Sequence, residues 1–208
     1  MHLDVARNFH GDKTVQKLMD MMSFYKLNKF HFHMTDDEGW RIEIPDLPEL
    51  TSVGAHRGHT LSESECLLPS YGSGSDPKDP TSSGNGFYSR QEFIGLWGYA
   101  ATRHIEVIPA IDFPGHARAA VRAMEVRYDH FKALGDMAKA NEYLLTDWND
   151  TSEYESVQLW KRNVVNIGLD SSYRFIEKVV DELMGMYAEA GVELSTIHVG
   201  GDEVPQGA

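Results

Sequence analysis

Two adjacent carboxylates near the end of the chain are the residues best suited to acid–base chemistry. Asp202 and Glu203 follow a β-branched run, residues 195–199, and two glycines, Gly200 and Gly201. Neighbouring side chains on a regular strand point to opposite faces, so both carboxylates serve one pocket only if the backbone bends. Two glycines permit that bend. A carboxylate pair at a strand end suits acid–base chemistry on a sugar, and the alternative is a strand followed by an acidic turn.

Ionisable residues also end three earlier predicted strands. We expect these strands over residues 2–7, 29–35 and 105–111, and the ionisable residues at or just beyond their ends are Arg7, Asp36, Asp37 and Asp112. Segments with helical spacing lie between the strands, and such alternation is typical of a parallel sheet with right-handed crossovers. In a parallel (β/α) barrel of TIM type, the active site lies at the carboxyl ends of the strands. The pattern therefore favours an enzyme site over an acidic turn.

The chain accounts for the first four strands of such a barrel. A whole barrel needs about 250 residues, whereas this chain has 208. We therefore predict an α/β fold with a partial TIM-type barrel, in which residues 1–208 form the N-terminal half of a (β/α)8 catalytic domain. A flavodoxin-like open sheet is the structural alternative. Its first turn usually carries a phosphate-binding glycine loop, and residues 7–11 are not one.

Helices and two irregular stretches complete the predicted organisation. Apolar residues recur at helical spacing in four places. One stretch follows Gly11–Asp12, which supplies an N-cap, and another follows a capping box at Ser89–Glu92. The other two cover residues 117–128 and the stretch from Asp170 to Gly191. Residues 42–88 contain five of the eight prolines and a Gly/Ser/Asp-rich run. They indicate a long irregular insertion rather than a domain boundary. Residues 129–169 carry no pattern that assigns them to an element.

The composition excludes several classes of partner. The chain has 19 basic and 32 acidic residues, a formal charge of -13, which argues against a general nucleic-acid surface or an anionic-membrane surface. No apolar run approaches the length of a membrane span, and the first residues show no signal-peptide pattern. The single cysteine, Cys66, excludes an internal disulfide. We expect a globular protein that binds a neutral ligand.

A histidine pair on the second predicted strand raises the question of a metal. His31 and His33 lie two residues apart and therefore share one face of a strand. Two histidines without a third placed ligand are weak evidence for a metal site. We interpret them as histidines satisfied by hydrogen bonds, and we expect neither a metal nor a cofactor.

The spacing around Asp112 and Arg7 leaves two interpretations of each open. Asp112 and His116 lie four residues apart across a Pro-Gly turn. An aspartate can hold an imidazole in one tautomer, leaving its other nitrogen to meet a catalytic carboxylate; the alternative is a turn-capping aspartate and an unrelated histidine. Arg7 can form the floor of a buried ion-pair network, or its planar guanidinium can donate hydrogen bonds to sugar hydroxyls.

Four stretches carry a resemblance to a known family. They are residues 4–9, 29–41, 107–117 and 198–203. With these motifs in this order, the chain resembles glycoside hydrolase family 20, the β-N-acetylhexosaminidases, and is most similar to the bacterial chitobiase branch. The resemblance implies removal of terminal non-reducing N-acetyl-β-D-hexosamine, as GlcNAc or GalNAc, from chitooligosaccharides or glycans. It also implies substrate-assisted, retaining catalysis without a cofactor, in the periplasm or outside the cell.

The resemblance assigns roles to the residues at the strand ends. Glu203 is the general acid and then the general base, and Asp202 orients and stabilises the 2-acetamido group of the substrate. Asp112 and His116 form a relay toward Glu203. The implied substrate-binding residues are Arg7, on the outer hydroxyls of the terminal sugar, and Asp36, close to the catalytic carboxylate.

Two departures from the family accompany the resemblance. Members of this branch pair a cysteine near Gly58 with the position of Cys66, and that partner is absent here. The second half of the family's barrel supplies tryptophans and a tyrosine around the acetamido group, which this chain does not contain. Two alternatives therefore remain. One is a non-catalytic half-barrel that binds sugars or assembles as a homodimer through open barrel edges, and the other is a relative that releases a disaccharide.

Overall fold

The computed structural model describes residues 1–204, in which helices pack against a small, mostly parallel sheet. The elements in chain order are β1 (His2–Asp4), α1 (Asp12–Phe24), β2 (Lys29–Asp36), β3 (Gly39–Trp40), α2 (Glu49–Ser52), α3 (Arg90–Ala101), β4 (Glu106–Ile111), α4 (Arg118–Ala133), α5 (Met137–Glu142) and α6 (Asp170–Glu189). The predicted alternation of strands and helices is therefore confirmed for the three earlier strands.

Strand β2 lies at the centre of the sheet. It pairs in parallel with β1 on one side and with β4 on the other, and β3 turns back to pair with its end in the antiparallel sense. Side chains alternate between the two faces of a strand. On β2, Phe30, Phe32 and Met34 alternate with His31 and His33. One face of β2 thus joins the apolar core, and the other carries histidines.

The predicted fourth strand is not a regular strand. In the described structure, residues 195–203 form one parallel bridge, between Ala110 and His198. The amide of His198 donates to Pro109 O at 2.9 Å, and the amide of Phe113 donates to Val199 O at 3.0 Å. Pairing stops there because the backbone takes positive φ at Gly200 and Gly201, 65° and 92°. The prediction was right about a chain segment parallel to β4, and wrong about its regularity.

The helix ends agree with the predicted capping signals at two of three positions. Ser89 and Glu92 form the expected capping box, with each side chain bonded to the other residue's backbone N–H. Helix α1 instead begins at Asp12, and its N-cap is Gly11, which offers no side-chain oxygen. Helix α6 ends near the expected Gly191, whose φ is 69°.

The core lies between the sheet and its covering helices. Phe32 from β2 packs against the rings of Tyr88, Phe93 and Trp97 at centroid distances of 5.6–6.2 Å, and all four side chains are buried. Burying a large apolar side chain contributes about 1.5–3 kcal/mol, so this cluster fixes α3 on the sheet. Cys66 is also buried and is a free thiol.

The insertion at residues 42–88 is irregular, as predicted, apart from α2 and isolated bridges. It is held against the sheet by two fully buried arginines, Arg41 and Arg57. Arg57 donates to the carbonyls of Glu38 and Arg7, at 2.9 and 2.6 Å. The insertion therefore supports the loops that leave β1 and β2. No helix within residues 1–204 combines the length and apolar character needed to cross a membrane.

Candidate acid–base site

The ionisable residues predicted at the strand ends converge at the carboxyl edge of the sheet. Arg7 follows β1, Asp36 ends β2, Asp112 follows β4, and Glu203 follows the segment beside β4. Because parallel strands end at one edge, side chains that are far apart in sequence meet there. The fifth participant, His116, comes from the turn between β4 and α4.

His116 links the two halves of this cluster. Its Nε2 lies 3.1 Å from Oε2 of Glu203 and 4.0 Å from Oδ2 of Asp202. The side-chain amide of Gln158 donates to the same Glu203 oxygen at 3.1 Å. Both contacts use Oε2, and Oε1 of Glu203 makes no hydrogen bond within residues 1–204. The glutamate side chain is 44% exposed, which keeps it reachable from solvent.

The second nitrogen of His116 faces two aspartates at the end of β2. Nδ1 lies 3.3 Å from Asp36 Oδ1 and 3.3 Å from Asp37 Oδ2. Neither contact has the geometry of a hydrogen bond. The nearby carboxylates of Asp36 and Asp37 favour the charged ring, outweigh the effect of burial and raise the pKa of His116 to about 11. At neutral pH this ring is therefore an imidazolium.

The structure does not bring Asp112 into contact with His116, the pair that the predicted relay used. Asp112 Oδ2 lies 3.6 Å from Nε2 of His33 instead. The backbone of His116 has φ 51°, in the left-handed region, and its ring lies at the end of β2. Asp36 and Asp37 therefore take the position expected for Asp112.

Asp112 remains close to the cluster as a buried carboxyl. Burial raises its pKa to about 7, with the charges of Asp36 and Asp202 adding to the effect and that of His33 opposing it. The backbone of Gly200 packs directly against it. A Cβ at position 200 would lie 2.5 Å from Asp112 Oδ1, so only glycine allows this approach.

Asp36 contacts an arginine and two histidines. Its carboxylate lies 2.8 Å from Arg7 Nη1, 2.8 Å from His33 Nε2 and 3.3 Å from His116 Nδ1. Burial alone would raise the pKa of Asp36, but these partners outweigh it and hold the pKa well below its usual range. Asp36 is thus ionised, and the ring of His116 separates it from Glu203.

Arg7 forms an ion-pair network, one of the two arrangements left open by its sequence. Its Nη1 lies 3.0 Å from Asp4 and 2.8 Å from Asp36, and its Nε lies 3.0 Å from Glu38. The side chain is still 22% exposed. Within residues 1–204 these ion pairs use Nε and Nη1, which leaves Nη2 as the donor for a ligand. The network does not exclude a contact with sugar hydroxyls.

Sequence reasoning did not assign roles to several residues that support the cluster. Asp37 accepts from the backbone of Arg118 and from the amide of Asn163, and Glu38 accepts from Trp160 Nε1 at 2.8 Å. The acidic run that follows β2 was a visible signal for Asp37 and Glu38. Gln158, Trp160 and Asn163 lie in an aperiodic segment, so no local pattern marked them.

We expect His116 to be charged and His31 to be neutral from about pH 5 to about pH 9. His116 keeps its proton because its pKa is raised to about 11 by Asp36 and Asp37, whereas burial and the imidazoles of His2 and His198 lower the pKa of His31 to about 4. The stabilisation by His116 is complete below about pH 6.5 and is lost as the pH rises through about 11. His31 instead weakens stability as the pH falls from about 6.5 to about 4.

Imidazole ¹⁵N chemical shifts across this range measure both states directly. We expect two imidazolium-type nitrogens for His116 and a neutral pattern for His31 throughout. A neutral His116 at about pH 8 would contradict the assignment, and so would a protonated His31 at about pH 6.

The fold and the site define an α/β protein with a carboxylate–imidazolium centre at the carboxyl ends of parallel strands. The model for "Glycosyl hydrolase family 20, catalytic domain" matches residues 1–208, and the chain belongs to this family.

Known relatives match nearly the whole chain, but the matched region is only part of their own length. A beta-hexosaminidase of Vibrio vulnificus is 48% identical over 98% of this chain, and an N,N'-diacetylchitobiase of Vibrio harveyi is 50% identical over 97%. The solved exo beta-N-acetylglucosaminidase of Vibrio harveyi superimposes over 100% of the chain with a TM-score of 0.80 and 38% identity. The chain spans 24% and 22% of the two relatives, about a quarter of their length, and 28% of the solved structure.

Proposed function

We propose that residues 1–208 form the N-terminal half of a (β/α)8 catalytic domain whose complete form is a β-N-acetylhexosaminidase. The substrate would be a β-linked oligosaccharide with a terminal non-reducing N-acetylhexosamine, such as a chitooligosaccharide. Family membership and the names of the Vibrio relatives support this reaction class. Three parallel strands and a fourth parallel segment, each ending at the same edge, support the partial barrel.

The contact that carries the proposal is the 3.1 Å approach of His116 Nε2 to Glu203 Oε2. It fixes one oxygen of the glutamate and leaves Oε1 to hold and transfer the reacting proton. His116 does not meet the substrate in this arrangement. It is a positioning residue, anchored through Asp36 and Asp37 to the end of β2.

The first chemical step uses a nucleophile that belongs to the substrate. The oxygen of the 2-acetamido group attacks the anomeric carbon while the glycosidic bond breaks, and Glu203 gives its proton to the departing oxygen. The product of this step is an oxazolinium-type intermediate, whose positive charge lies on the former amide. Asp202 stabilises that charge. Its position next to Glu203 and its 67% exposed side chain make it accessible to a bound sugar.

The second step returns Glu203 to its starting state. The ionised carboxylate takes a proton from water, the water oxygen bonds to the anomeric carbon, and the acetamido group is released. Two inversions at one carbon retain the anomeric configuration. Arg7 would meanwhile bind the outer hydroxyls of the terminal sugar through Nη2, because Nε and Nη1 are held by carboxylates.

A turnover assay on two proteins tests this proposal. The 208-residue chain and a version extended to the full length of the relatives would be assayed with a chromogenic N-acetyl-β-D-glucosaminide, with light scattering on both. We expect turnover by the extended protein and little or none by the monomeric 208-residue chain, because half of the barrel is missing. Turnover by a dimeric 208-residue chain would show that two half-barrels close on each other. No turnover by the extended protein would overturn the proposed function.

A further inference from the structure

Four imidazole rings lie together on the face of the sheet opposite the aromatic core. His2 on β1 stacks on His31 of β2 with centroids 4.6 Å apart, and His198 lies 4.7 Å from His31 on its other side. His33, two residues further along β2, is 5.8 Å from His2. The parallel register places His2 directly beside His31, which explains why residues distant in sequence form one cluster.

The nitrogens of this cluster are close enough to share one ion. One ring nitrogen from each of His2, His31 and His33 lies within 4.8 Å of the other two. The third ligand that the sequence failed to place beside His31 and His33 is thus supplied by β1. His198 provides a fourth imidazole next to them.

His31 contradicts the expectation that these histidines are satisfied by hydrogen bonds. Its Nε2 is buried and has no hydrogen-bond partner among residues 1–204. Buried polar atoms in folded proteins are normally paired, and an unpaired one calls for a partner such as an ion. His33 differs, because its Nε2 meets Asp36 at 2.8 Å.

We infer that His2, His31 and His33 form a binding site for a divalent transition-metal ion of the zinc class, with the ring of His198 beside His31. Neutral imidazole is a preferred ligand of zinc, and zinc sites are usually tetrahedral with bonds of about 2.0–2.1 Å. Such bonds place ligand nitrogens about 3.3 Å apart. The rings must therefore rotate inward by a small amount from their present separation of at most 4.8 Å.

Asp36 gives His33 the arrangement usual for a metal ligand. Ligating histidines commonly donate their other ring N–H to a carboxylate, which fixes the tautomer and the ring orientation. The bond from His33 Nε2 to Asp36 Oδ2 fills this role and leaves the other nitrogen for the ion. The metal site would share Asp36 with the acid–base cluster, but its inferred ligands His2 and His31 make no contact with Glu203 among the described residues.

Zinc titration of the untagged 208-residue chain tests the inference. Isothermal calorimetry gives the stoichiometry, and cobalt(II) absorption reports the coordination geometry. We expect one ion per chain, tetrahedral cobalt bands, and a higher midpoint of thermal unfolding when zinc is added. No zinc binding by the wild-type chain would overturn the inference.

Three variants test which histidines bind the ion. His31→Gln should weaken zinc binding by more than about 100-fold, since removing groups outside the first coordination sphere already costs about 10–100-fold. His2→Gln removes an exposed ligand without disturbing the core, so it decides the question if His31→Gln fails to fold. His59→Gln, at an exposed histidine in the insertion, is the matched control and should bind zinc normally. Unchanged affinity in the folded His31→Gln or His2→Gln variant would place the ion elsewhere and overturn the inference.

Discussion

Glu203→Gln is expected to lower kcat of the complete catalytic domain on a chromogenic N-acetylglucosaminide by about 10²–10⁴-fold, the usual contribution of a general acid–base group. The glutamine keeps the size of the side chain and an oxygen that can accept from His116 and Gln158. It has no proton to give to the departing sugar oxygen. The loss should therefore appear in kcat, with little change in KM.

An exposed glutamate provides the control for this measurement. Glu65 lies in the insertion, far in sequence from the strand ends, and Glu65→Gln makes the same chemical change at the surface. We expect wild-type kinetics for this variant. If Glu203→Gln retained more than a tenth of the wild-type kcat, Glu203 would not be the proton donor, and the proposed assignment of both steps would be wrong.

Most of the acid–base cluster could be predicted from the sequence, because ionisable residues that follow parallel strands meet at one edge of the sheet. Arg7, Asp36 and Glu203 follow different parallel segments, and a parallel sheet brings such residues to one edge whatever their separation in the chain. This inference needed only the order of the elements and the positions of their ends. The inference therefore held for Glu203 although the last segment forms only one bridge, at His198, and not the predicted regular strand.

Contacts that depend on local backbone geometry were not predictable in the same way. The spacing of Asp112 and His116 allowed a direct pair, but His116 has a left-handed φ of 51° and its ring contacts Asp36 and Asp37 at the end of β2. A spacing rule assumes ordinary backbone angles, and a single unusual residue defeats it. The unpaired Nε2 of His31 could not be predicted either, because the neighbouring rings of His2 and His198 come from distant parts of the chain.

The aperiodic segment that contains Gln158 and Trp160 was also unpredictable from the sequence. Gln158 and Trp160 reach Glu203 and Glu38 from a segment without periodicity, and tertiary contacts alone determine where such a segment lies. Residues 42–88 were likewise recognised as irregular, but their attachment to the sheet was not foreseen. That attachment depends on Arg41, a residue that the sequence presents only as part of a strand-end motif.

Arg41 is the residue whose loss should destabilise the fold most. Its guanidinium is fully buried and donates six hydrogen bonds to five backbone carbonyls at 2.8–3.2 Å. These acceptors belong to the loop after β1 and to the insertion, and they are Val5, Ala6, Ala55, Gly84 and Gly86. One side chain thus satisfies backbone groups that no regular element serves.

Arg41→Met would remove all of these donors while keeping a side chain of considerable length. Ala55 O would keep the amide of Gly86 and Ala6 O a long contact from Arg57, whereas the carbonyls of Val5, Gly84 and Gly86 would lose their donors. A buried acceptor left without a partner costs about 1–3 kcal/mol, so these three carbonyls together cost roughly 3–9 kcal/mol. A domain has only about 5–15 kcal/mol of stability in total. We therefore expect the variant to be largely unfolded, or to melt far below the wild-type chain. Circular dichroism and urea unfolding measure this loss.

Arg90→Met tests whether burial, rather than the loss of an arginine, causes the effect. Arg90 pairs with Glu189 at the surface, where water replaces the lost contact. This control should unfold at nearly the same urea concentration as the wild-type chain. If Arg41→Met matched it, the carbonyls around Arg41 must find other donors. The insertion would then be attached through Arg57 and its bonds to Glu38 and Arg7, and Arg57→Met would be the variant that unfolds.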